Sequence, residues 1–388
     1  MGAMSRSRTP RSDLERERGR TDGRRETASE TTAGNRGRVT LQTIATALGV
    51  SRSTVSNAFS RPDQLAPALR ERILRVAAEL GYPGPHPVAR TLRRGRIGAL
   101  GLLLTEALTY AFRDPAAVLF LEGVAEELQE ADLGLLLVPA RPDHPFDPAA
   151  IRTALVDGFL VYSVSDGHPA LEAVLQRRVP IVVVDQPRLP EARLVVIDDE
   201  AAAYGAARHL VELGHRHFAI LTDRLSVGRF RPGIRVGTQK ESGFEVTRLR
   251  LSGYRRALRE AGVDWESVPI AECFPNAPQT GQQAVAMLLS RTPRPTAILS
   301  ITDLLALGAL VGAAAAGLAV PRDLSVVGFD DVPGAARAEP PLTTVRQPLL
   351  EKGRVAARLL TGPPDSAVRV VQLATELVVR GSTAPAPP

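Results

Sequence analysis

The stretch VTLQTIATALGVSRSTVSNAFS, residues 39–60, predicts two short helices joined by a tight turn. In the first helix, apolar residues recur at the spacing of an amphipathic helix, namely Leu41, Ile44, Ala45 and Leu48. Thr40 is the expected N-cap, because its hydroxyl can accept a hydrogen bond from an unpaired backbone N–H. Gly49 ends this helix, and Ser51 caps a second helix that begins at Arg52.

A third helix follows, and we expect the three helices to form a compact head. Pro67 is a favourable first helical residue, and Gly81 ends the helix. The second helix is expected to turn short polar and basic side chains outward, namely Arg52, Ser53, Ser56 and Asn57. This is the helix-turn-helix arrangement, whose second helix can enter a major groove of DNA. A three-helix bundle with an ordinary polar surface is the alternative, which the absence of Asp and Glu between Leu41 and Arg61 disfavours.

The positive charge is concentrated in the N-terminal quarter of the chain. The first 98 of the 388 residues contain 19 Arg and 9 Asp or Glu, a formal charge of +10, whereas the whole chain carries +6. A basic head on a mildly acidic body is typical of proteins that bind a polyanion, although a solvated basic tail is the alternative. Residues 1–38 contain almost no apolar side chains, so we expect a disordered basic tail.

Several protein classes are excluded by what the sequence lacks. The single cysteine, Cys273, excludes a disulfide framework, a Cys-ligated zinc finger and an iron–sulfur cluster and suits a reducing cytoplasm. Neither lysine, Lys240 or Lys352, follows a glycine, so there is no Walker A loop. No apolar run reaches the ~20 residues of a membrane span, and the charged N-terminus is unlike a signal peptide. We therefore expect a cytoplasmic protein without membrane contact.

From Ile97 onward, short apolar runs alternate with Ala-rich helical stretches. The runs are nearly continuous, as in parallel strands covered on both faces. The predicted strands are Ile97–Leu104, Gly134–Val138, Gly158–Tyr162, Ile181–Val184, Leu194–Ile197, Phe218–Leu221, Ala297–Ser300 and Ser325–Phe329, and the predicted helices include Ala117–Ala131, Ala201–Leu213, Leu251–Ala261, Thr280–Ser290 and Leu304–Ala316. Such a series builds doubly wound parallel sheets. Because about 290 residues are too many for one sheet, we expect two α/β lobes with a ligand cleft at their strand ends.

From Arg38 to the C-terminus, the sequence resembles the LacI/GalR family of transcription regulators. In the head, the resemblance rests on residues 39–60, on LRERILRVAAELGY and on VARTLRRGR. In the body it rests on LVELGHRHFAIL, RLRLSGYRRAL, TDLLALGAL, LSVVGFDDVPGA and PPLTTVRQP. It implies an all-α helix-turn-helix head and a two-lobed, periplasmic-binding-protein-like effector core. The expected parts are the tail (1–38), the DNA-binding head (39–81), a linker with a hinge helix (82–96) and the dimerising effector core (97–388).

The resemblance also implies which residues contact DNA. Arg52, Ser53 and Asn57 would face bases, since Arg prefers guanine and Asn prefers adenine. Phosphate or positioning contacts are expected from Thr40, Ser51, Thr54 and Ser56. The segment Val88–Arg94 matches the family's hinge helix, with Leu92 as the wedge in the minor groove or, alternatively, an ordinary linker residue. The third helix departs from the family, because Leu65-Ala66-Pro67 lacks the usual capping hydroxyl.

Polar residues at predicted strand ends are the candidates for the effector cleft. Asp185 ends the run IVVVD, and Asp330 ends SVVGFD, although both could be turn formers. By resemblance, the effector-binding residues are Asp185, Arg250, Phe274, Thr302 in place of the usual Asn, and Asp330. Tyr110 is a further candidate, because it lies in the loop after the first strand. Plain lobe packing is the alternative for Tyr110. Carboxylates, an arginine and an aromatic ring suit a sugar, because they accept and donate hydroxyl hydrogen bonds and cover C–H groups.

The resemblance implies a transcription regulator that acts as a repressor. It would bind a pseudo-palindromic operator as a homodimer, under the control of a sugar-like effector. After Arg380 there is no heptad repeat for a tetramerisation bundle, so we expect a dimer. No cofactor or metal is expected. An α/β sugar-processing enzyme and a solute-binding protein are the alternatives, but hydrolase, nucleotide and zinc motifs are absent. The segment Arg224–Glu245 has no helical or strand period, and we expect a mobile surface loop near the cleft.

Overall fold

The computed structural model describes residues 39–84, 96–104, 107–140, 146–226, 233–237, 242–363 and 368–388. The chain divides into two compact units, a helical head and an α/β core. The predicted tail, the hinge segment Val88–Arg94 and its residue Leu92 lie outside the described residues. None of the described helices is long and apolar enough to span a membrane.

The head consists of three helices, as the sequence predicts: α1 (Leu41–Leu48), α2 (Arg52–Ser60) and α3 (Pro67–Glu79), with a 3-10 turn at Pro62–Gln64. Their buried apolar residues are Leu41, Ile44, Ala45, Val55, Ala58, Ile73 and Ala77. The Thr40 hydroxyl accepts from the backbone N–H of Thr43 (3.3 Å). Gly49 ends α1 with a φ of 67°, a left-handed conformation that glycine adopts without strain. These caps fix the tight turn that orients α2.

The first lobe of the core is a six-stranded sheet covered by helices on both faces. Its strands are β1 (Ala99–Leu104), β2 (Gly134–Pro139), β3 (Phe159–Tyr162), β4 (Ile181–Val184), β5 (Arg193–Ile197) and β12 (Val370–Leu373). Its helices are α4 (Pro115–Glu130), α5 (Ala149–Thr153), α6 (Pro169–Gln176) and α12 (Leu349–Thr361). The strand order is β12-β5-β4-β3-β1-β2, and every pairing is parallel.

The second lobe is a seven-stranded sheet of the same kind. Its strands are β6 (Phe218–Thr222), β7 (Gly233–Gly237), β8 (Ile270–Phe274), β9 (Ala297–Ser300), β10 (Ser325–Asp330), β11 (Thr343–Arg346) and β13 (Glu376–Val378). Its helices are α7 (Asp199–Glu212), α8 (Glu245–Glu260), α9 (Pro278–Leu289), α10 (Asp303–Ala315) and α11 (Pro333–Arg337). The strand order is β13-β11-β10-β9-β6-β8-β7, with antiparallel pairing only at the two edges.

Two details of the core contradict the sequence prediction. The segment Arg224–Glu245 was expected to lack regular structure, yet Gly233–Gly237 forms the edge strand β7, antiparallel to β8. Helix α8 begins at Glu245, six residues before the predicted Leu251. Neither segment has a long apolar run: β7 is a five-residue edge strand with glycine at both ends, and the first turn of α8 is held by contacts with distant residues, which local periodicity does not reveal.

Within the described residues, the backbone passes between the lobes three times. The passages join β5 to α7, β11 to α12, and β12 to β13. The first passage places Asp199 beside the carboxyl ends of the strands, and the second places Gln347 there. Polar side chains of both lobes therefore meet at the carboxyl ends of the parallel strands, where α/β folds bind ligands.

Small residues bring the helices of each lobe close together. A Cβ added to Gly308 in α10 would lie 2.0 Å from the carbonyl oxygen of Pro278 in α9, and one added to Gly353 in α12 would lie 2.2 Å from that of Phe120 in α4. This packing suits a sequence with only 4% aromatic residues, because alanine and glycine leave room for the backbones to touch.

Candidate functional site

Helix α2 presents part of the predicted DNA-contacting set at the surface of the head. Arg52 and Ser53 are exposed, while Thr54 and Asn57 are half-buried. The exposed Ser51 caps the helix: its hydroxyl accepts from the N–H of Thr54 (3.0 Å) and is hydrogen-bonded to the hydroxyls of Ser53 (2.7 Å) and Thr54 (2.8 Å). Among the described residues, the Arg52 guanidinium has no side-chain partner, so its donors are available to a ligand.

Ser56 does not occupy the outward position that was predicted for it. Ser56 is buried, and it follows the core residue Val55 in the sequence. A helix face that packs on a core spans about 100° or more, which is wide enough to include both neighbours. Ser56 is therefore a packing residue of the head in this structure, whereas Thr40 is exposed and caps α1.

A cavity of about 350 Å³ lies between the two lobes of the core. All six residues predicted to bind an effector line it: Tyr110, Asp185, Arg250, Phe274, Thr302 and Asp330. Its volume is at the lower end of the roughly 300–1,000 Å³ that small-molecule sites occupy. The sequence missed further polar lining residues, among them Asp114, Gln186, Asp223, Arg224, Asn276 and Gln347. Asn276 was missed because it follows β8, which the sequence pattern did not predict.

Arg250 is a buried cation of the cleft with several partners. Its Nε donates to Asp199 Oδ1 (2.8 Å) and its Nη1 to the carbonyl oxygen of Ile301 (2.6 Å). Its guanidinium carbon lies 3.7 Å from the centre of the Phe329 ring, and Asp330 Oδ1 is 3.9 Å from Nη1. The predicted helix began at Leu251, which placed Arg250 just before its first residue. The closer partner is Asp199, and Arg250 lies in the second turn of α8.

Burial and neighbouring charge shape the ionisation of this group. Burial opposes the positive charge of Arg250, but Asp199 and Asp330 outweigh that effect and raise its pKa. Burial raises the pKa of both Asp199 and Asp330, while the guanidinium acts in the opposite direction on each. The guanidinium therefore supports the ionised form of two carboxylates that the interior would otherwise favour as neutral acids.

One face of the Phe274 ring is already covered. The Arg224 guanidinium carbon lies 4.5 Å from the centre of this ring and 5.8 Å from that of Phe244. Because a cation above a ring is attracted by its π electrons, Arg224 occupies a position where we had expected an effector to stack. Only the remaining surface of Phe274 is available to the cavity.

Thr302 is connected to Tyr110 through an amide. Thr302 Oγ1 donates to Asn276 Oδ1 (2.8 Å), and Asn276 Nδ2 donates to the Tyr110 hydroxyl (2.9 Å). Thr302 and Asn276 belong to the second lobe and Tyr110 to the first, so these two hydrogen bonds together span the cleft. Asn276 therefore supplies an amide beside the hydroxyl that Thr302 offers in place of asparagine.

Three further contacts hold the lobes together around the cavity. Gln186 Oε1 accepts from the backbone N–H of Val246 (2.9 Å). Ion pairs join Arg188 to Glu245 (2.7 Å) and Arg248 to Asp166 (2.9 Å). The first turn of α8 thus contacts the first lobe at several points. Nowhere in the described parts of the chain do three His, Cys, Asp or Glu side chains converge as a metal site would require.

Asp303 lies behind the cleft and is a structural acceptor. It is fully buried, and its carboxylate accepts from Thr344 Oγ1 (2.6 Å) and from the N–H of Val332 (2.9 Å). Burial raises its pKa to about 6, although the Thr344 and Val332 hydrogen bonds act against that shift. Because the folded state binds a proton that the unfolded chain does not, this group adds stability below pH about 4 that is lost as the pH rises through about 6.

We therefore expect the Asp303→Asn variant to show a weaker pH dependence of stability than the unchanged protein. Between pH 4 and 6 the free energy of unfolding of the unchanged protein should contain a contribution that falls with rising pH, and the variant should lack it. Urea unfolding at a series of pH values measures this. Parallel pH profiles for the two proteins would show that Asp303 does not titrate in this range.

Comparison with known proteins shows which families the head and the core resemble. Residues 40–84 match the family description "Bacterial regulatory proteins, lacI family", and residues 207–383 match "Periplasmic binding protein-like domain". An HTH-type transcriptional regulator of Mycolicibacterium smegmatis is 44% identical over 358 residues, 90% of this chain and 97% of that protein. The structure of a LacI-family regulator from Corynebacterium glutamicum is similar at 35% identity (TM-score 0.65, 89% of this chain, 98% of that one). A complex of the regulator CelR with cellobiose is similar at 30% identity (TM-score 0.61, 89% and 100%).

Proposed function

Because the chain belongs to the LacI family of bacterial regulatory proteins, and is thus a DNA-binding transcriptional regulator rather than an enzyme, we propose that it is a dimeric repressor controlled by a small hydroxylated effector. Two heads bind a pseudo-palindromic operator, and occupancy of that site blocks transcription. The part of the proposal that concerns the effector rests on one observation: six predicted residues, from both lobes, line one cavity. As a regulator of transcription, the protein acts in the cytoplasm, where the DNA is.

The DNA half of the proposal is supported by the surface of α2. Arg52 and Ser53 are exposed at its N-terminus, and Asn57 is half-buried one and a half turns later. Arg can donate two hydrogen bonds to the O6 and N7 of guanine, and Asn can pair with the N6 and N7 of adenine. The caps at Thr40 and Ser51 hold the first two helices in place, as a recognition helix requires.

The effector half is supported by the chemistry of the cavity. Its carboxylates at Asp114, Asp185, Asp223 and Asp330 are acceptors for hydroxyl groups, while Asn276 and Arg224 add amide and guanidinium groups. Four carboxylates facing two arginines, Arg224 and Arg250, disfavour an anionic ligand. The solved relative CelR is complexed with cellobiose, which has hydroxyl groups and no charge. A sugar or related polyol of modest size is therefore the proposed effector class.

Coupling between the two sites follows from the passages between the lobes. An effector that bridges Asp185 of the first lobe and Asp330 of the second favours the closed cleft, because it adds contacts that only the closed state can make. The ligand then shifts the equilibrium between lobe arrangements by its differential affinity for them. We propose that the lobe arrangement sets the pose of the segment that joins core and head, and thereby the affinity for DNA.

We expect the protein to be a dimer through its core. Val118 of α4 and Leu136 of the edge strand β2 are exposed apolar side chains of the first lobe, and each is 40% exposed. A two-fold pairing of the cores would cover such side chains, and it also matches a palindromic DNA site. Light scattering should give the mass of two subunits, and the Leu136→Asp variant should shift it toward one. A mass of one or four subunits for the unchanged protein would contradict the proposal.

The experiment that tests the proposed function has two stages. Selection of DNA sequences by the full chain at fixed salt should yield a two-fold symmetric site, bound far more tightly than random DNA. A thermal-shift screen of free sugars, polyols and nucleosides then identifies ligands, because a ligand that binds only the folded state raises Tm. A ligand from this panel should change operator affinity. Selection of an unsymmetric site, or a ligand that leaves operator affinity unchanged, would contradict the proposal.

A further inference from the structure

Lys352 is a fully buried lysine at the floor of the cleft. It lies in α12, its side chain is 0% exposed, and it is one of only two lysines in the chain. Its Nζ donates to Asp185 Oδ1 (2.6 Å) and to Gln347 Oε1 (2.5 Å). Both partners line the effector cavity, but Lys352 itself does not. An ammonium group is thus placed directly behind the wall that faces the effector.

The hydrogen bonds of Lys352 continue into the second lobe. Gln347 Nε2 donates to Asp330 Oδ1 (2.6 Å), and Asp330 lies 3.9 Å from Arg250. Gln347 lies at the passage between β11 and α12, so this polar chain connects the carboxylate of the first lobe to that of the second. We call the residues Asp185, Lys352, Gln347 and Asp330 the cleft-floor chain.

The direction of every hydrogen bond in the cleft-floor chain follows from Lys352. An ammonium group has three donors and no acceptor. It therefore fixes Asp185 as an acceptor, and it requires Gln347 to turn its carbonyl oxygen toward Lys352. The amide NH₂ of Gln347 must then face Asp330, which becomes an acceptor in turn. With a neutral apolar side chain at position 352, the Gln347 carbonyl oxygen would lose this donor, and only Asp330 would orient the amide.

We propose that Lys352 is a positioning residue that determines which effectors the cleft accepts. It presents Asp185 and Asp330 together as acceptors, so an effector must bring a hydroxyl donor to each of them. It also balances the Asp185 charge from behind, which leaves the front of that carboxylate free for the effector. This inference rests on the proposed function, since it concerns the selectivity of the same cleft.

Stability alone is a poor account of this lysine. A buried ion pair recovers little more than the cost of removing two charges from water, and an apolar residue of similar size often packs as well. Lys352 also differs from an ordinary helix-surface lysine, because its ammonium makes two short hydrogen bonds instead of contacting solvent. Both bonds lead to residues that line the cavity.

The first arm of the test needs no effector. Full-length protein labelled with ¹⁵N-lysine contains two ammonium signals, and the Lys240→Arg variant leaves only that of Lys352. We expect slow hydrogen exchange at this ammonium and a clear change of its chemical shift in Asp185→Asn. An ammonium that exchanges as rapidly as a solvated lysine, or a shift that Asp185→Asn leaves unchanged, would overturn the proposal.

The second arm compares Lys352→Met, Asp185→Asn and the double variant. The probes are cellobiose and the panel sugar that raises the Tm of the unchanged protein most, each titrated by calorimetry beside its deoxy analogues. Lys352→Met should lose at least tenfold in affinity for the sugar and should discriminate less against the deoxy analogues. Because Lys352 acts through Asp185, the double variant should lose no more affinity than Asp185→Asn alone, and its Tm should recover toward that of the unchanged protein.

The outcomes separate this proposal from the proposed function. If Lys352→Met does not fold, the double variant and the labelled protein still test the role of Lys352. A folded Lys352→Met variant with affinity and selectivity within twofold of the unchanged protein overturns the role of Lys352 but leaves the effector site in place. The same conclusion would follow if the double variant lost as much effector affinity as the two single variants together. If no sugar, polyol or nucleoside binds the unchanged protein, the effector class is wrong, and Lys352 selects no hydroxylated ligand.

Discussion

Replacing Arg250 with alanine should lower the free energy of unfolding of the core by about 3–5 kcal/mol and abolish effector binding. The side chain is 8% exposed and stands between two buried carboxylates, Asp199 and Asp330. Its removal leaves both carboxylates without their compensating cation and leaves the Ile301 carbonyl without its donor. It also removes the group that packs on the Phe329 ring. Urea unfolding of the full chain measures the stability, and calorimetry measures effector affinity.

A control for Arg250→Ala is available on the same helix. Arg256 pairs with Glu200 at 3.2 Å, but its side chain is 47% exposed, so Arg256→Ala should cost less than about 1 kcal/mol. Arg250→Lys separates folding from binding, because it keeps a charge between the carboxylates but loses the planar fork of donors. It should fold, bind operator DNA and respond poorly to effector. Unchanged effector affinity in either Arg250 variant would remove this residue from the site.

The sequence identified cleft residues that end strands, and it missed the partners that hold them. Asp185 and Asp330 could be found because parallel strands bring their carboxyl ends to one edge of a sheet. Lys352 could not, since the run LLEKGRVAARLL reads as an ordinary amphipathic helix whose lysine would face solvent. Its partner Asp185 lies 167 residues away in the chain. Asp199 was missed for the same reason, because only the folded backbone brings it to Arg250.

The fold itself was predictable wherever burial is uniform. Strands such as Ile181–Val184 are buried along their whole length, and continuous apolar runs mark them in the sequence. Edge strands leave no such mark: Gly233–Gly237 and Val370–Leu373 alternate between exposed and half-buried residues and contain polar or glycine positions. Ser56 shows the same limit in the head, where a polar residue is buried beside the apolar stripe that the pattern does reveal.

On the DNA side, Arg52→Ala and Asn57→Ala should each cost about 1–3 kcal/mol of discrimination between the preferred base and its alternatives. The expected change is largest for Arg52, because its exposed guanidinium has no partner among the described residues and can meet a guanine edge with two donors. Asn57 is half-buried, so its amide is already restricted in orientation and can address one base. Binding to a set of operators with single-base changes, at one fixed salt concentration, measures the discrimination for each variant.

If Arg52 contributed only its positive charge, its removal would weaken binding to all DNA sequences alike. A control variant that removes the same charge elsewhere in the head therefore decides whether Arg52 reads a base. Arg75 on α3 is exposed like Arg52, so Arg75→Ala removes the same charge from the head without touching the recognition helix. A residue that contacts only phosphate weakens binding to all sequences alike and lowers the slope of log affinity against log salt by about 1. Arg75→Ala should therefore leave the preferred base unchanged, whereas Arg52→Ala should flatten the preference at one position. If Arg52→Ala behaved as Arg75→Ala does, Arg52 would be a phosphate contact, and base reading would rest on the other residues of α2.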